Sequence, residues 1–95
     1  MVQIHSLFPL GHIVATPGAL EALQDAHQAA QEFLSRHVRG DWGDLTAEDR
    51  KENDFSVCRS LRVLSAYRLS TGVTLWIITE ADRSATTLLL PAGAL

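Results

Sequence analysis

The sequence lacks several features that would place it in a specialised class. Its 95 residues include one cysteine, Cys58, so an internal disulfide cannot form and a reducing compartment is expected. Its apolar runs have the length of strands, as in Leu75–Ile78 and Leu88–Leu90, and none approaches the ~18–20 residues of a membrane span. The N-terminus has no basic segment followed by an apolar stretch, so no secretory signal is expected. We therefore expect a cytoplasmic protein that is not associated with a membrane.

The charge balance is slightly acidic, with a formal net charge of −3. Eight basic residues are scattered among eleven acidic ones, whereas proteins that bind duplex DNA usually carry a basic face. Direct binding to nucleic acid is therefore not expected. The hydrophobic fraction of 46% and the chain length fit one ordinary folded unit, so we predict a single domain over residues 1–95.

Helix signals dominate the first half of the chain. Thr16 can cap a helix that begins at Pro17, where the missing N–H of proline costs nothing. Apolar residues recur at helical spacing through residues 17–39, which form one helix or two, and Gly40 is suited to end them. A second capping signal at Thr46 predicts a polar helix through about residue 57, anchored by its few apolar side chains: Phe55 and Val57 or Cys58.

The apolar period changes to two in the second half, which predicts strands. We predict an α+β fold with a short N-terminal strand at His12–Ala15, two to three helices, and a three-stranded antiparallel β-meander with the helices packed on one face. A hairpin turn is expected at Gly72, and the central strand is apolar on both faces, which predicts that Trp76 is in the core. The last strand, Ala85–Leu90, is expected to be an exposed edge that permits a homodimer.

Three sequence blocks together are distinctive. They are Arg36–Leu45 (RHVRGDWGDL), Leu64–Leu69 (LSAYRL) and Leu75–Ser84 (LWIITEADRS). With these blocks the chain resembles a family of short uncharacterised proteins encoded on bacterial plasmids, prophages and integrative elements, over about residues 12–91. It departs from that family at Asp54–Leu61, where a glycine-containing turn is expected, and at Ala92–Leu95.

The resemblance implies a small accessory protein of a mobile element, not an activity. Its partner would be a host or element-encoded protein. The most specific form of this expectation is an inhibitor of a bacterial defence complex that binds nucleic acid, either CRISPR–Cas (an anti-CRISPR) or restriction. A small acidic protein can occupy a nucleic-acid channel by complementary charge. Since the sequence contains no complete catalytic constellation, a binding protein is favoured over an enzyme.

Two segments are candidate partner-binding sites. In the loop Asp41–Asp44, a tryptophan stands between carboxylates, and tryptophan is enriched at interface hot spots. The alternative is that Trp42 fills the core while Asp41 and Asp44 satisfy backbone groups of the loop. The turn Glu80–Ser84 presents Glu80, Asp82 and Arg83, either as a salt-bridged turn or as a partner contact.

The alternative function is a metal-independent ribonuclease toxin, because the order of helices and strands is similar to that of barnase-like ribonucleases. His37 would act as the general acid or base, Arg68 and Arg83 would hold phosphate, and Thr86 would assist. The alternative is that His37 is a helix-capping or half-buried histidine. The four histidines have no zinc-ligand spacing and Cys58 has no cysteine partner, so no metal or other cofactor is expected.

Overall fold

Residues 6–91, which this computed structural model describes, form three helices and one four-stranded mixed sheet. The predicted α+β class is confirmed. Ala92–Leu95, where the sequence departs from the resemblance, lie outside the described residues. The elements follow one another in the order β1 (His12–Ala15), α1 (Pro17–Ala26), α2 (Ala30–Val38), α3 (Ala47–Arg59), β2 (Val63–Arg68), β3 (Thr74–Thr79) and β4 (Ala85–Leu89).

The strands are arranged in the order β1-β4-β3-β2. Strands β2, β3 and β4 form the predicted antiparallel meander, with Ile77 opposite Ser65 on one side and Leu88 on the other. Strand β1 pairs with β4 in parallel and in the register His12 to Ala85. The prediction that the last strand is an exposed edge is therefore wrong, because β1 covers it.

Local capping signals place the helix ends. The hydroxyl oxygen of Thr16 accepts the N–H of Ala19 at 3.2 Å, as predicted from its N-cap position. Helix α1 ends where His27 adopts a left-handed backbone with φ of 55°, so residues 17–39 contain two helices. Gly40, with φ of 85°, follows α2, and the Thr46 hydroxyl caps α3. No helix among residues 6–91 has the length and apolar content to cross a membrane.

Helices α1 and α2 pack on the same face of the sheet. They bury alanine, leucine and phenylalanine side chains against the inward-facing residues of the meander. Burying each large apolar side chain contributes about 1.5–3 kcal/mol, so this layer supplies most of the driving force for folding. The main core consists of Ala19, Ala22, Leu23, Ala26, Phe33, Leu34, Tyr67, Leu69, Leu75, Ile77 and Leu88.

Helix α3 lies along the outer edge of β2 and is held there by an amide. Asn53 is its one buried residue, and its side chain accepts the N–H of Leu64 and donates to the Leu64 carbonyl at 2.6 Å. The amide thus replaces a neighbouring strand at this point of the edge. The prediction that Phe55 anchors α3 is wrong, since its side chain is 54% exposed. Val57 is partly buried in the small cluster around Trp42.

The loop Asp41–Asp44 covers the rest of that edge. The N–H of Ala66 donates to the Trp42 carbonyl at 3.1 Å, and the N–H of Asp44 donates to the Ala66 carbonyl at 2.7 Å. Trp42 is 3% exposed and its indole N–H donates to Asp54. Of the two interpretations of Trp42, the exposed partner contact is wrong and the core position is confirmed, because the backbone pairing turns this side chain inward.

Gly43 is expected to be indispensable to this pairing. Its φ is 78°, and a Cβ atom there would overlap the Ala66 carbonyl oxygen and the Tyr67 ring. Gly72 is the matched control, since its φ is 92° but no atom lies within 4 Å of the corresponding position. Gly72→Ala should lower the free energy of unfolding by about 1–2 kcal/mol, because alanine is strained in the left-handed conformation. Gly43→Ala should lower it distinctly more, because its Cβ atom would also clash. Urea denaturation of both variants measures the difference, and equal losses of unfolding free energy would contradict this account.

Candidate functional site

A fully buried chain of hydrogen-bonded polar side chains links α2 to strands β2, β3 and β4. His37 has no exposed surface, and its two ring nitrogens contact the hydroxyls of Ser65 on β2 and Thr79 on β3. Thr79 contacts Thr86 on β4 at 2.8 Å, and Thr86 contacts the Leu10 carbonyl at 2.7 Å. Every buried polar side-chain atom among residues 6–91 has a hydrogen-bond partner.

The carbonyl at the end of this chain fixes the direction of every proton. A carbonyl can only accept, so Thr86 donates to Leu10 and must accept from Thr79. Thr79 has then used its proton, so it accepts from the Nε2–H of His37. The Nδ1 atom is left as the acceptor of the Ser65 hydroxyl proton. His37 is therefore a neutral imidazole with both nitrogens occupied.

Burial favours the same neutral form. Desolvation, followed by the nearby positive charge of Arg83, lowers the pKa of His37 from 6.5 to about 4. A charged imidazole would also need to donate from Nδ1, which would force Ser65 to find another acceptor for its proton. The site thus stabilises the imidazole as a structural cross-link.

The four residues of the predicted ribonuclease site do not converge on a surface. His37 and Thr86 are both fully buried and are joined through Thr79. Arg68 is exposed on the opposite face of the sheet, because Ser65 and Arg68 are an odd number of positions apart on β2. A general acid or base must reach a substrate proton. The arrangement gives the ribonuclease hypothesis no support.

The predicted loop site is held by interactions within the protein. Arg36 Nε donates to the Asp41 carboxylate at 2.7 Å, and this hydrogen bond lowers the pKa of Asp41. The Tyr67 hydroxyl donates to the Asp41 carbonyl at 2.6 Å, and burial raises the pKa of Tyr67 to about 12. The Trp42 side chain is buried. Of the predicted contacts in this loop, Asp44 is the one that is exposed and has no ion-pair partner among the described residues.

The charged side chains of the predicted turn site are also mostly engaged in contacts within the protein. Arg83 donates to the backbone carbonyls of Leu61 at 2.7 Å and Glu80 at 3.1 Å, and its guanidinium lies over the Phe8 ring. The Glu80 carboxylate lies 3.8 Å from Arg62. Hydrogen bonds from Ser84 lower the pKa of the exposed Asp82. The charged groups of the turn are thus engaged within the protein, Arg83 by backbone carbonyls and Glu80 by Arg62, but no ion pair forms between the carboxylates and the guanidinium of the turn itself among the described residues.

The second face of the sheet is only partly covered by residues 6–91, and we call it the open face. Apolar side chains of the three meander strands lie on this face and are only half-buried: Leu64, Trp76, Ile78 and Leu89. The prediction that the central strand is covered on both sides, and Trp76 with it, is wrong. Helices α1 and α2 both pack on the other face, and α3 is held at the edge.

Helix α3 and the open face enclose a cleft of about 720 Å³. The four apolar residues of the open face form its floor. Its wall includes the carboxylates of Asp49 and Glu52 on α3, and Arg62 lies beside them. Arg62 is near Glu80, whereas neither wall carboxylate has an ion-pair partner among the described residues. An apolar floor with an acidic wall suits a ligand that is both apolar and basic.

Sequence reasoning missed this cleft, although two signals were present. Strand β3 carries apolar residues on both of its faces. The sheet therefore has a second apolar face, which another element would be expected to pack against. Within residues 6–91 the helix that remains is α3, which has no apolar stripe with which to cover this face. No group of three or more potential metal ligands is present within residues 6–91.

The buried imidazole predicts a specific pH dependence of stability. Because the pKa of His37 is about 4 in the folded protein and 6.5 in the unfolded chain, the unfolded state binds more protons between these values. Stability should be fully present above pH 6.5 and should fall by roughly 3 kcal/mol as the pH drops to about 4. Chemical denaturation across this range measures the slope.

Two variants isolate this contribution. His37→Gln keeps a donor and an acceptor but cannot be protonated, so its stability should depend less on pH in this window. His12→Gln removes an exposed imidazole and should follow the wild-type curve. NMR titration of the His37 ring in the wild type gives an independent reading. A His37 ring that is protonated near pH 6.5 would refute the assignment.

Comparison of the chain with families of known proteins, with curated proteins and with solved structures finds no match. The geometry of the open face and of its acidic wall is therefore the basis on which a function is proposed.

Proposed function

We propose that the protein is a binding module that recognises another protein through the open face. The recognised segment presents large apolar side chains next to lysine or arginine. The observation that carries this proposal is the half-buried Trp76, outside the core, on the floor of a cleft whose wall carries Asp49 and Glu52.

The apolar floor supports protein binding because its residues are contiguous. Leu64, Trp76 and Leu89 lie on adjacent strands, and the register places Trp76 opposite Leu89. Contiguous apolar side chains that stay partly accessible beside a cleft are typical of binding sites. Tryptophan is among the residues most enriched at interface hot spots.

The acidic wall supports a basic partner. Asp49 and Glu52 of α3 line the cleft. Arg62 lines it as well, and its positive charge is offset by the Glu80 carboxylate 3.8 Å away. A lysine or arginine of the partner would meet unpaired carboxylates here, and an arginine would also stack favourably on the Trp76 ring. An acidic segment would be repelled at the same place.

This chemistry agrees with the partner class that the sequence resemblance implies. Proteins that bind nucleic acid present basic surfaces, so a host or element-encoded protein of that kind is our proposed partner. Inhibition of a CRISPR–Cas or restriction complex is the most specific form of the proposal. The protein would then act in the cytoplasm, by binding and without catalysis.

Binding of defined peptides tests the proposal directly. A helical peptide with lysine and leucine at amphipathic spacing should bind, and the same peptide with glutamate in place of lysine should not. Asp49→Lys combined with Glu52→Lys should weaken binding at least about tenfold, because two attractive charges become repulsive. Titration calorimetry at low and high salt measures the loss, and salt should weaken wild-type binding.

A matched control changes the net charge by the same amount elsewhere. Glu21→Lys combined with Asp25→Lys alters two exposed carboxylates of α1 that do not line the cleft and should leave peptide affinity unchanged. Equal binding of the basic and acidic peptides, or equal effects of the two double variants, would refute the proposal. In cells, protection against restriction or CRISPR–Cas that survives the Asp49/Glu52 change would refute its specific form.

A further inference from the structure

One edge of the sheet is hydrogen-bonded to other parts of the protein, and the other edge is not within the described residues. The outer edge of β2 is paired by Asn53 and by the loop backbone of Trp42 and Asp44. At the other end of the sheet, no residue of the described range 6–91 pairs with the outer edge of β1. An unpaired edge exposes N–H and C=O groups that can pair with another strand.

The groups that point outward from β1 can be identified. The N–H of His12 donates to the Ser84 carbonyl, and the N–H of Thr16 donates to the Leu88 carbonyl, each at 3.0 Å. Residues alternate along a parallel ladder, so the N–H and C=O groups of Ile13 and Ala15 point away from β4.

Strand β1 also lacks most of the features that usually block edge pairing. His12–Ala15 contains no lysine, aspartate, glutamate or proline. Ile13 is 53% exposed and Val14 is 50% exposed, and they lie on opposite faces of the strand. The strand has only four residues, and this shortness is the one protective feature that it keeps.

We propose that β1 pairs with β1 of a second copy of this chain, antiparallel and about a two-fold axis, to form a continuous eight-stranded sheet. The second copy offers an edge of the same length, limited by Gly11 before the strand and by Pro17 after it. Antiparallel pairing aligns the outward groups of Ile13 and Ala15 with those of the partner copy. It also buries Ile13 on one face and Val14 on the other.

The two-fold axis has a consequence for the open face. Antiparallel strands of one sheet are related by an axis perpendicular to that sheet, so the open faces of both copies lie on the same side. The inference does not rest on the proposed function, since it requires only the edge of β1. One short strand pair is a small interface, so the dimer should be reversible and dependent on concentration.

Sedimentation equilibrium of the full chain tests the proposal. From about 10 μM to about 1 mM, a range suited to a small interface, the mass should rise from 10.4 kDa toward twice that value. Val14→Lys adds an edge charge, and Ile13→Pro removes an outward N–H that makes no bond to β4. Both should remain at the monomer mass over this range, with circular dichroism confirming that each is folded.

Val73→Lys is the matched control, because Val73 is an exposed apolar residue outside the strands. It should dimerise like the wild type. A wild type that stays monomeric at about 1 mM would overturn the proposal. So would a dimer that persists in both folded β1 variants, or one that Val73→Lys disrupts as strongly as they do.

Discussion

The buried hydrogen-bond chain through His37 is the constraint on which the rest of the structure depends. It joins α2 to β2, β3 and β4 and ends on the Leu10 carbonyl just before β1. Its proton directions are determined by that final carbonyl, so only one tautomer of His37 satisfies every member. A satisfied buried network fixes the relative position of the elements that it joins, whereas a broken one leaves unpaired polar groups at a cost of about 1–3 kcal/mol each.

The covered face of the sheet is the one that carries this network. Helices α1 and α2 pack on the face that carries the network, and no apolar helix remains to cover the other face within residues 6–91. Helix α3 is instead held at the edge of β2 by the amide of Asn53. The apolar floor around Trp76 and the acidic wall at Asp49 follow from that placement. The proposed binding surface thus results from the packing of α1 and α2 on one face of the sheet and of α3 at its edge.

Local signals allowed part of the fold to be predicted. Thr16 and Thr46 cap helices through contacts three residues away, and the left-handed conformation of Gly72 depends only on its turn. Local signals do not place the two tryptophans, because both depend on distant partners: they allow Trp42 either an exposed or a core position, and they predict a core position for Trp76. The backbone pairing with Ala66 turns Trp42 inward, and Trp76 stays only half-buried because α3 lies at the edge of β2. The parallel pairing of β1 with β4, between residues more than 70 positions apart, has no local signal at all.

The central claim is that α1 and α2 cover the face of the sheet that carries the His37 network, and that the other face is the binding surface. The two tryptophans, Trp42 and Trp76, report on these two sides separately, because each indole N–H gives its own signal in a proton–nitrogen NMR spectrum. Titration with the lysine–leucine peptide should shift the Trp76 signal and leave the Trp42 signal in place. A shift confined to Trp42, or a bound peptide that moves neither signal, would contradict the account.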